Sequence, residues 1–293
     1  MHLLRASGMK KIIYDVGANN GGDIPYYLMK ADLVVAIEAN PALCDGIRKR
    51  FAEEIEQGRL LVESCVVTAE ERSGEVDFYV HNTHHVLSQL DKPGEDSFDL
   101  YTPIKLPSQS ILKILQTHGA PHYVKIDIEH YDTQLLKALF AGGVHPPYIS
   151  AEAHSIDVFC TLVGEGGYRA FKLVDGYYVA RDYKDFTTQC GLKYAFPMDS
   201  AGPFGNDVQG EWMTSDHFFQ LLAYWGLGWI DIHATNVEQP NPNAKPSTRI
   251  CLERLHRDEM VNSLQEMISG AELLSLIKGR AKRWMRHGNA QQP

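Results

Sequence analysis

The segment Asp15–Gly22, with the sequence DVGANNGG, follows the apolar run Ile12–Tyr14 and precedes a helical pattern that begins near Ile24. An acidic residue at a strand end, a glycine-rich turn and a helix start are typical of the ligand-binding edge of α/β sheets. Gly17 and Gly21 allow the close backbone approach and unusual dihedral angles that such a turn needs. The segment therefore predicts an α/β fold that binds a nucleotide-like ligand beside its first strand.

The composition of this turn favours one class of ligand. A dinucleotide fingerprint has glycines at three positions, which in this chain are occupied by Gly17, Asn19 and Gly22. The middle glycine, against which a pyrophosphate lies, is therefore missing. The carboxylate of Asp15 suits a ligand with an ammonium group, which favours S-adenosylmethionine over NAD. Glu38 ends the next apolar run, where an acid accepts hydrogen bonds from a ribose. An ordinary glycine-rich turn and a solvated glutamate are the alternatives.

The composition is that of a globular protein with one large core: 293 residues, 44% apolar and 22% charged. The net charge of −9 argues against broad nucleic-acid binding, which needs a basic surface. The five cysteines are scattered and form no C-x-x-C pair, which favours reduced cysteines in a cytoplasmic protein. No segment approaches the roughly 18 apolar residues of a membrane span, and the first residues lack the apolar core of a signal peptide.

Apolar runs alternate with amphipathic stretches along most of the chain, which predicts a mainly parallel sheet with helices on both faces. We expect the main domain over residues 9–235. The pattern breaks at about 182–224, where prolines and glycines are spaced through the sequence, and we interpret this insertion as a lid or substrate wall. Residues 236–293 are predicted to form a proline-containing linker and a C-terminal helical extension. Its basic end, Lys278–Arg286, is interpreted as a solvated helix terminus, with weak contact to a membrane surface or an acidic partner as the alternative.

Five motifs in order make the chain resemble the FkbM family of S-adenosylmethionine-dependent methyltransferases. They are DVGANNGG at 15–22, EANP at 38–41, VLSQL at 86–90, YVKIDIEHYD at 123–132 and ISAEAH at 149–154. The resemblance covers about residues 9–180. It implies the Rossmann-like class I methyltransferase fold, with a seven-stranded sheet whose last strand runs antiparallel. It also implies O-methylation, commonly of sugar hydroxyls in glycans, glycolipids or natural products.

Polar groups from separate parts of the chain fall at the carboxyl ends of predicted parallel strands, so we expect them to converge in one crevice. These groups are Asp15, Glu38, Ser64, Cys65, Asp127, Glu129, Glu152 and His154. The predicted binding residues for S-adenosylmethionine are Asp15, Gly17, Asn19, Gly21, Glu38, Cys65, Ser88 and Asp127. Cys65 and Ser88 are included on the resemblance, since packing roles would explain both equally well.

A sugar hydroxyl is a weak nucleophile and must lose its proton during attack, so the reaction needs a general base. His154 is the predicted base, because an imidazole has an ordinary pKa near ~6.5. Glu129 is expected to orient the acceptor or to serve as the base instead. A structural, hydrogen-bonded His154 is the alternative. The family motif K-I-D-x-E-G has a glycine where this chain has His130, which leaves the acceptor and the base assignment open.

A metal ion is a further alternative at this site. Asp127, Glu152 and His154 could present two carboxylates and an imidazole to a divalent ion, but no short-range ligand spacing requires one. We therefore predict a metal-free site. His84 and His85, with His81 nearby, are interpreted as a polar loop at the edge of the cleft, with a metal cluster as the alternative.

Two other functions stay open beside methyl transfer. Asn19, in place of a fingerprint glycine, argues against an NAD-linked oxidoreductase. His130, in place of the family glycine, keeps open a non-catalytic cofactor-binding or scaffold protein. The expected partner is a small-molecule or glycan acceptor, with no nucleic acid. The sequence does not indicate the oligomeric state.

Overall fold

The computed structural model describes residues 10–72, 74–198 and 200–244. The strands of these residues are β1 (Ile12–Val16), β2 (Leu33–Glu38), β3 (Leu60–Ser64), β4 (Val66–Thr68), β5 (Glu75–His81), β6 (Tyr101–Ser110), β7 (Tyr123–Ile126), β8 (Tyr148–Glu152), β9 (Ala170–Asp175), β10 (Phe186–Thr187), β11 (Lys193–Tyr194), β12 (Met213–Thr214) and β13 (Ile230–Thr235). The helices are α1 (Ile24–Lys30), α2 (Pro41–Arg50), α3 (Ala52–Glu56), α4 (Ile111–His118), α5 (Asp132–Ala141), α6 (Ile156–Gly164), α7 (Val179–Asp182) and α8 (Ser215–Trp225). The predicted C-terminal helical extension, with its basic end, lies outside the described residues, as does the linker beyond Ala244.

The central sheet has the strand order β12-β9-β13-β8-β7-β1-β2-β3. The strands from β8 to β3 in this order are parallel to one another, and β13 runs antiparallel to both β8 and β9. The predicted mainly parallel sheet with an antiparallel last strand is therefore confirmed. The predicted number of seven strands is wrong, because Met213–Thr214 pairs with β9 as an eighth. A strand of two residues is too short to produce a recognisable alternation of apolar side chains.

The inner strands of this sheet are buried along their whole length. Every residue of β1 and all but the last residue of β2 are buried. Because successive side chains of a strand point to opposite faces, burial of all of them requires packing on both faces of the sheet. Because β1, β2, β7 and β8 run parallel to one another, their carboxyl ends lie together at one edge of the sheet.

A smaller sheet joins β4, β5 and β6. Strand β5 pairs antiparallel with the long strand β6 over seven residues. Val66, Phe78 and Leu106 form a small apolar cluster between these strands. The segment between β3 and β7 thus has a small apolar core of its own.

The insertion at 182–224 contains the hairpin β10–β11, strand β12 and most of helix α8. Phe196, Phe204 and Val208 belong to the same buried cluster as Tyr26 and Tyr27 of α1. The ring of Phe204 stacks on the ring of Tyr123 with a centroid distance of 4.1 Å and an angle of 7°. The insertion is therefore packed into the core, and its contact with a substrate stays a prediction.

Asp207 anchors the insertion to helix α1. Its buried carboxylate accepts hydrogen bonds from the Tyr26 hydroxyl at 2.8 Å and from the backbone N–H of Gln189 at 2.8 Å. The ammonium of Lys30 lies 2.5 Å from the same carboxylate. A search of the described residues finds no helix that is long and apolar enough to cross a membrane.

Candidate functional site

The glycine-rich turn after β1 is shaped by two backbone positions that exclude side chains. Gly17 has φ +82°, and a Cβ atom there would lie 1.9 Å from the backbone oxygen of Asp127. Gly21 has φ +75°, and its Cβ atom would lie 2.9 Å from the side chain of Ile24. Only glycine meets both the left-handed dihedral and the close packing. Asn19, with φ +49°, adopts a conformation that asparagine tolerates better than most residues.

Glu38 joins the end of β2 to this turn. Its carboxylate accepts hydrogen bonds from the backbone N–H of Asn19 at 2.8 Å and from that of Asn40 at 2.7 Å. Burial raises the pKa of Glu38 to about 7, although both hydrogen bonds act to lower it. The amide oxygen of Asn19 is buried without a hydrogen-bond partner among the described residues. Two of the predicted binding positions, Asn19 and Glu38, thus lie in direct contact.

Lys125 is a buried cation that sequence reasoning missed. It sits opposite Asp15 in the pairing of β1 with β7. Its ammonium lies 3.6 Å from Asp15 Oδ1, 3.2 Å from Asp127 Oδ2 and 3.4 Å from the backbone oxygen of Gly17. Burial raises the pKa of Asp15 to about 6, and the positive charge of Lys125 limits that rise. The sequence did contain a signal for this buried cation, since Lys125 lies between apolar residues in a strand that is followed by Asp127.

Asp231 is a second residue that sequence reasoning missed. It pairs with Glu152 across β13 and β8, and its Oδ1 atom is buried without a hydrogen-bond partner among the described residues. Burial and the nearby charge of Asp127 raise the pKa of both Asp231 and Glu152 well above the ordinary range, which favours the neutral form of each carboxyl group. Burial opposes ionisation of Asp127 too, but Lys125 and a hydrogen bond from Glu152 hold its pKa below the ordinary value.

Asp231 was not predicted as a site residue because its strand, β13, runs antiparallel to β8. The prediction covers residues at the carboxyl ends of parallel strands. Since β13 is antiparallel, its beginning, not its end, meets the carboxyl end of β8. An acid near the start of an apolar last strand was the signal in the sequence.

His154 follows β8 and lies beside both predicted acidic neighbours. Its Nε2 atom is 2.8 Å from Glu152 Oε2 and 3.8 Å from Glu129 Oε2. The Nε2 atom is buried, and no described residue forms a hydrogen bond of acceptable geometry with it. The two predicted catalytic residues, His154 and Glu129, are therefore brought together.

His130, which stands where the family motif has glycine, has φ +69°. This left-handed conformation favours glycine and strains other residues, which accounts for the usual glycine in physical terms. The ring of His130 lies against the ring of His154, with centroids 4.7 Å apart. Its Nε2 atom is 3.8 Å from Glu129 Oε2.

The two binding residues expected from the resemblance have different surroundings. Cys65 is buried beside Glu38, and its backbone N–H donates to the Glu38 carbonyl oxygen at 3.2 Å. Ser88 contacts the smaller sheet, where its hydroxyl oxygen accepts the backbone N–H of His81 at 3.2 Å. The Nδ1 atom of His81 in turn accepts the backbone N–H of His84 at 3.1 Å. Binding of a cofactor by Ser88 and Cys65 stays a prediction.

Comparison with known proteins places this site in a family. The family model of the methyltransferase FkbM domain matches residues 15–158, which include the glycine-rich turn, Glu38, Lys125, Glu129 and His154. No curated protein matches the chain.

The chain is also similar to solved structures at low identity. Methyltransferase FkbM from Methylobacillus flagellatus KT is 18% identical with a TM-score of 0.37, and the alignment covers 59% of this chain and 42% of that one. A precorrin 8W decarboxylase from Methanobacterium thermoautotrophicum is 10% identical with a TM-score of 0.37, and the alignment covers 78% and 83% of the chains. A geranyl diphosphate methyltransferase in complex with GPP and sinefungin is 8% identical with a TM-score of 0.37, and the alignment covers 78% and 72%.

TM-scores of this size carry no inference about function. The family rests on the domain match and on the motifs that it contains. Residues 15–158 of this chain form an FkbM methyltransferase domain.

Proposed function

We propose that the protein is an S-adenosylmethionine-dependent O-methyltransferase that acts on a hydroxyl of a sugar in a glycan, glycolipid or natural product. The observation that carries the proposal is the meeting of Asp15, Glu38 and Asp127 around the Gly17 turn, beside Glu129 and His154. These residues come from four parallel strands, β1, β2, β7 and β8, and the loops that follow them. The domain match supports methyl transfer as the class of reaction.

The residues of the turn fit S-adenosylmethionine. Asp15 and Asp127 offer carboxylates for an ammonium group, and Asp15 Oδ1 is buried without a hydrogen-bond partner among the described residues. With a pKa of about 6, Asp15 is mostly ionised at neutral pH. Glu38 would accept hydrogen bonds from the ribose hydroxyls, and Gly17 leaves the backbone open to close approach. When bound, this cofactor supplies a methyl group on a positively charged sulfur.

The chain itself supplies a general base. We assign that role to His154, whose Nε2 atom lies 2.8 Å from Glu152 Oε2 but forms no aligned hydrogen bond with a described residue, and which can accept the proton of the acceptor hydroxyl. Glu129, with its Oε2 atom 3.8 Å away, would orient the hydroxyl and stabilise the imidazolium that forms. Holding the two reactants together converts a bimolecular step into an effectively unimolecular one, which lowers the barrier further.

Transfer of a labelled methyl group to a panel of glycans and free sugars tests the proposal. His154→Ala should lower kcat by about 10²–10⁴-fold while the affinity for S-adenosylhomocysteine stays unchanged. His85→Ala, which removes an exposed imidazole from the smaller sheet region, is the matched control. Tight cofactor binding without turnover on any hydroxyl acceptor would contradict the proposal.

Thermal shift measurements separate the cofactor classes. S-adenosylmethionine at 100 times its dissociation constant should add about 2.7 kcal/mol to the free energy of unfolding, whereas NAD should have no effect. Stabilisation by NAD alone would favour an oxidoreductase.

A further inference from the structure

The side chains of Glu129, His130 and His154, which follow β7 and β8, have the geometry of a metal site. One ligand atom from each of Glu129, His130 and His154 lies within 4.8 Å of the other two. The Nε2 atoms of both histidines are 3.8 Å from Glu129 Oε2. Two ligand atoms that are each about 2.1 Å from one ion can be up to about 4.2 Å apart. Both histidine–glutamate distances therefore already allow a shared ion.

A second observation points to a ligand at the same place. The Nε2 atom of His154 is buried and forms no hydrogen bond of acceptable geometry with a described residue. Although Glu152 Oε2 lies 2.8 Å from this nitrogen, no described group is aligned with it for a hydrogen bond, so the nitrogen is open to a ligand. His130 is held in a left-handed conformation that a glycine would adopt without strain, with φ +69°. Strain of this kind is characteristic of functional positions.

We propose that Glu129, His130 and His154 bind one divalent first-row transition-metal ion such as Zn²⁺, Fe²⁺ or Co²⁺. Two imidazoles and one carboxylate suit these ions better than Mg²⁺ or Ca²⁺, which prefer oxygen ligands. The site differs from the combination of Asp127, Glu152 and His154 considered from the sequence. Asp127 is engaged by the ammonium of Lys125 at 3.2 Å, whereas His130 is a nitrogen ligand that the family glycine lacks.

The surroundings of the three ligands suit a cation that works on a substrate. The carboxyl groups of Asp127 and Asp132 lie near His154, and Glu152 Oε2 is 2.8 Å from its Nε2 atom. The side chain of His130 is 44% exposed, so the cluster is open to solvent on that side. Three protein ligands leave at least one coordination position for a substrate oxygen.

The inference rests on the proposed methyl transfer and gives it a second way to activate the acceptor. An acceptor hydroxyl bound to the ion loses its proton to water more readily, because the ion stabilises the alkoxide. The oxygen then forms a bond to the methyl carbon, while the carbon–sulfur bond of the donor breaks and its electron pair stays on sulfur. With the ion bound, His154 acts as a ligand and the ion takes over the activation that the free imidazole performs in the metal-free site.

Titration of the full-length, chelator-treated protein with Co²⁺ and Zn²⁺ tests the site without any turnover. Visible absorption of Co²⁺ should report nitrogen ligands and one ion per chain. His130→Gly should weaken binding by more than about 100-fold, since it removes a direct ligand and outer partners alone cost 10–100-fold. The variant restores the family glycine and suits φ +69°, so its metal-free melting temperature should equal or exceed that of the wild type. His85→Ala should bind the ion like the wild type.

Absence of binding by the wild type, or equal affinity in His130→Gly, would overturn the inference. Metal-free protein that transfers methyl groups as fast as protein supplied with the ion would overturn the role of the ion and leave the proposed function intact. Binding of one ion that depends on His130, with no methylation of any hydroxyl, would keep the site and overturn the proposed function.

Discussion

Replacement of Gly17 by alanine tests the geometry of the turn directly. Gly17 has φ +82°, and the new Cβ atom would stand 1.9 Å from the backbone oxygen of Asp127. The left-handed dihedral costs about 1–2 kcal/mol for an L residue. The contact with the backbone cannot be relieved by a rotamer change, and overpacking of this kind costs about 1–3 kcal/mol. We therefore expect Gly17→Ala to lower the free energy of unfolding by about 2–5 kcal/mol.

Gly58→Ala is the matched control for this substitution. Gly58 has φ +68°, and a Cβ atom there would meet nothing within 4 Å, so only the dihedral cost of about 1–2 kcal/mol applies. Urea denaturation of both variants measures the difference, and titration with S-adenosylmethionine measures binding. Gly17→Ala should also weaken binding, since the end of β7 must move away from the turn. Equal stabilities of the two variants, or unchanged cofactor affinity in Gly17→Ala, would refute the reasoning.

Three further predictions concern other buried groups. Glu38→Gln should weaken binding of S-adenosylmethionine by about 10–100-fold in calorimetry, since a hydrogen bond to a charged group contributes about 1.5–3 kcal/mol; Glu63→Gln, on the next strand, should bind normally. Asp207→Ala should lower the free energy of unfolding by roughly 3 kcal/mol, because it leaves buried donors and a lysine without their acceptor, whereas Asp45→Ala, at an exposed ion pair, should change it by less than about 0.5 kcal/mol. Burial lowers the pKa of His233 to about 3, so between pH 3 and ~6.5 the unfolded state binds more protons and stability falls as the pH is lowered. Between pH 6.5 and 4.5, His233→Gln should therefore lose about 2 kcal/mol less than the wild type in urea denaturation; equal losses would contradict the assignment.

The order of elements at the ligand edge could be predicted from the sequence because the core strands β1, β2 and β7 are mainly apolar runs. The runs at Ile12–Tyr14, Leu33–Ile37 and Tyr123–Ile128 correspond to β1, β2 and β7 within one or two residues. Strands that are buried on both faces cannot contain many polar side chains, so their signal survives in any tertiary context. The glycines at 17 and 21 were recognisable for a similar reason, since their backbone conformations exclude other residues.

Short or atypical elements could not be predicted in this way. Strand β12 has two residues and gains its identity from pairing with β9. The insertion at 182–224 looked irregular because its prolines and glycines interrupt any periodic pattern. The insertion contributes Phe196, Phe204 and Val208 to the core, and these residues are spaced along its sequence without a regular period.

The amino-acid sequence by itself determined the parallel sheet, the glycine-rich turn and the acids at the strand ends, because these depend on local periodicity and backbone sterics. The tertiary structure alone decided how the charges are paired. It placed Lys125 between Asp15 and Asp127, and it brought Asp231 against Glu152 through an antiparallel strand. It also turned His130 towards His154. Such contacts join residues far apart in the chain or depend on a single backbone dihedral, and neither leaves a periodic signal in the sequence.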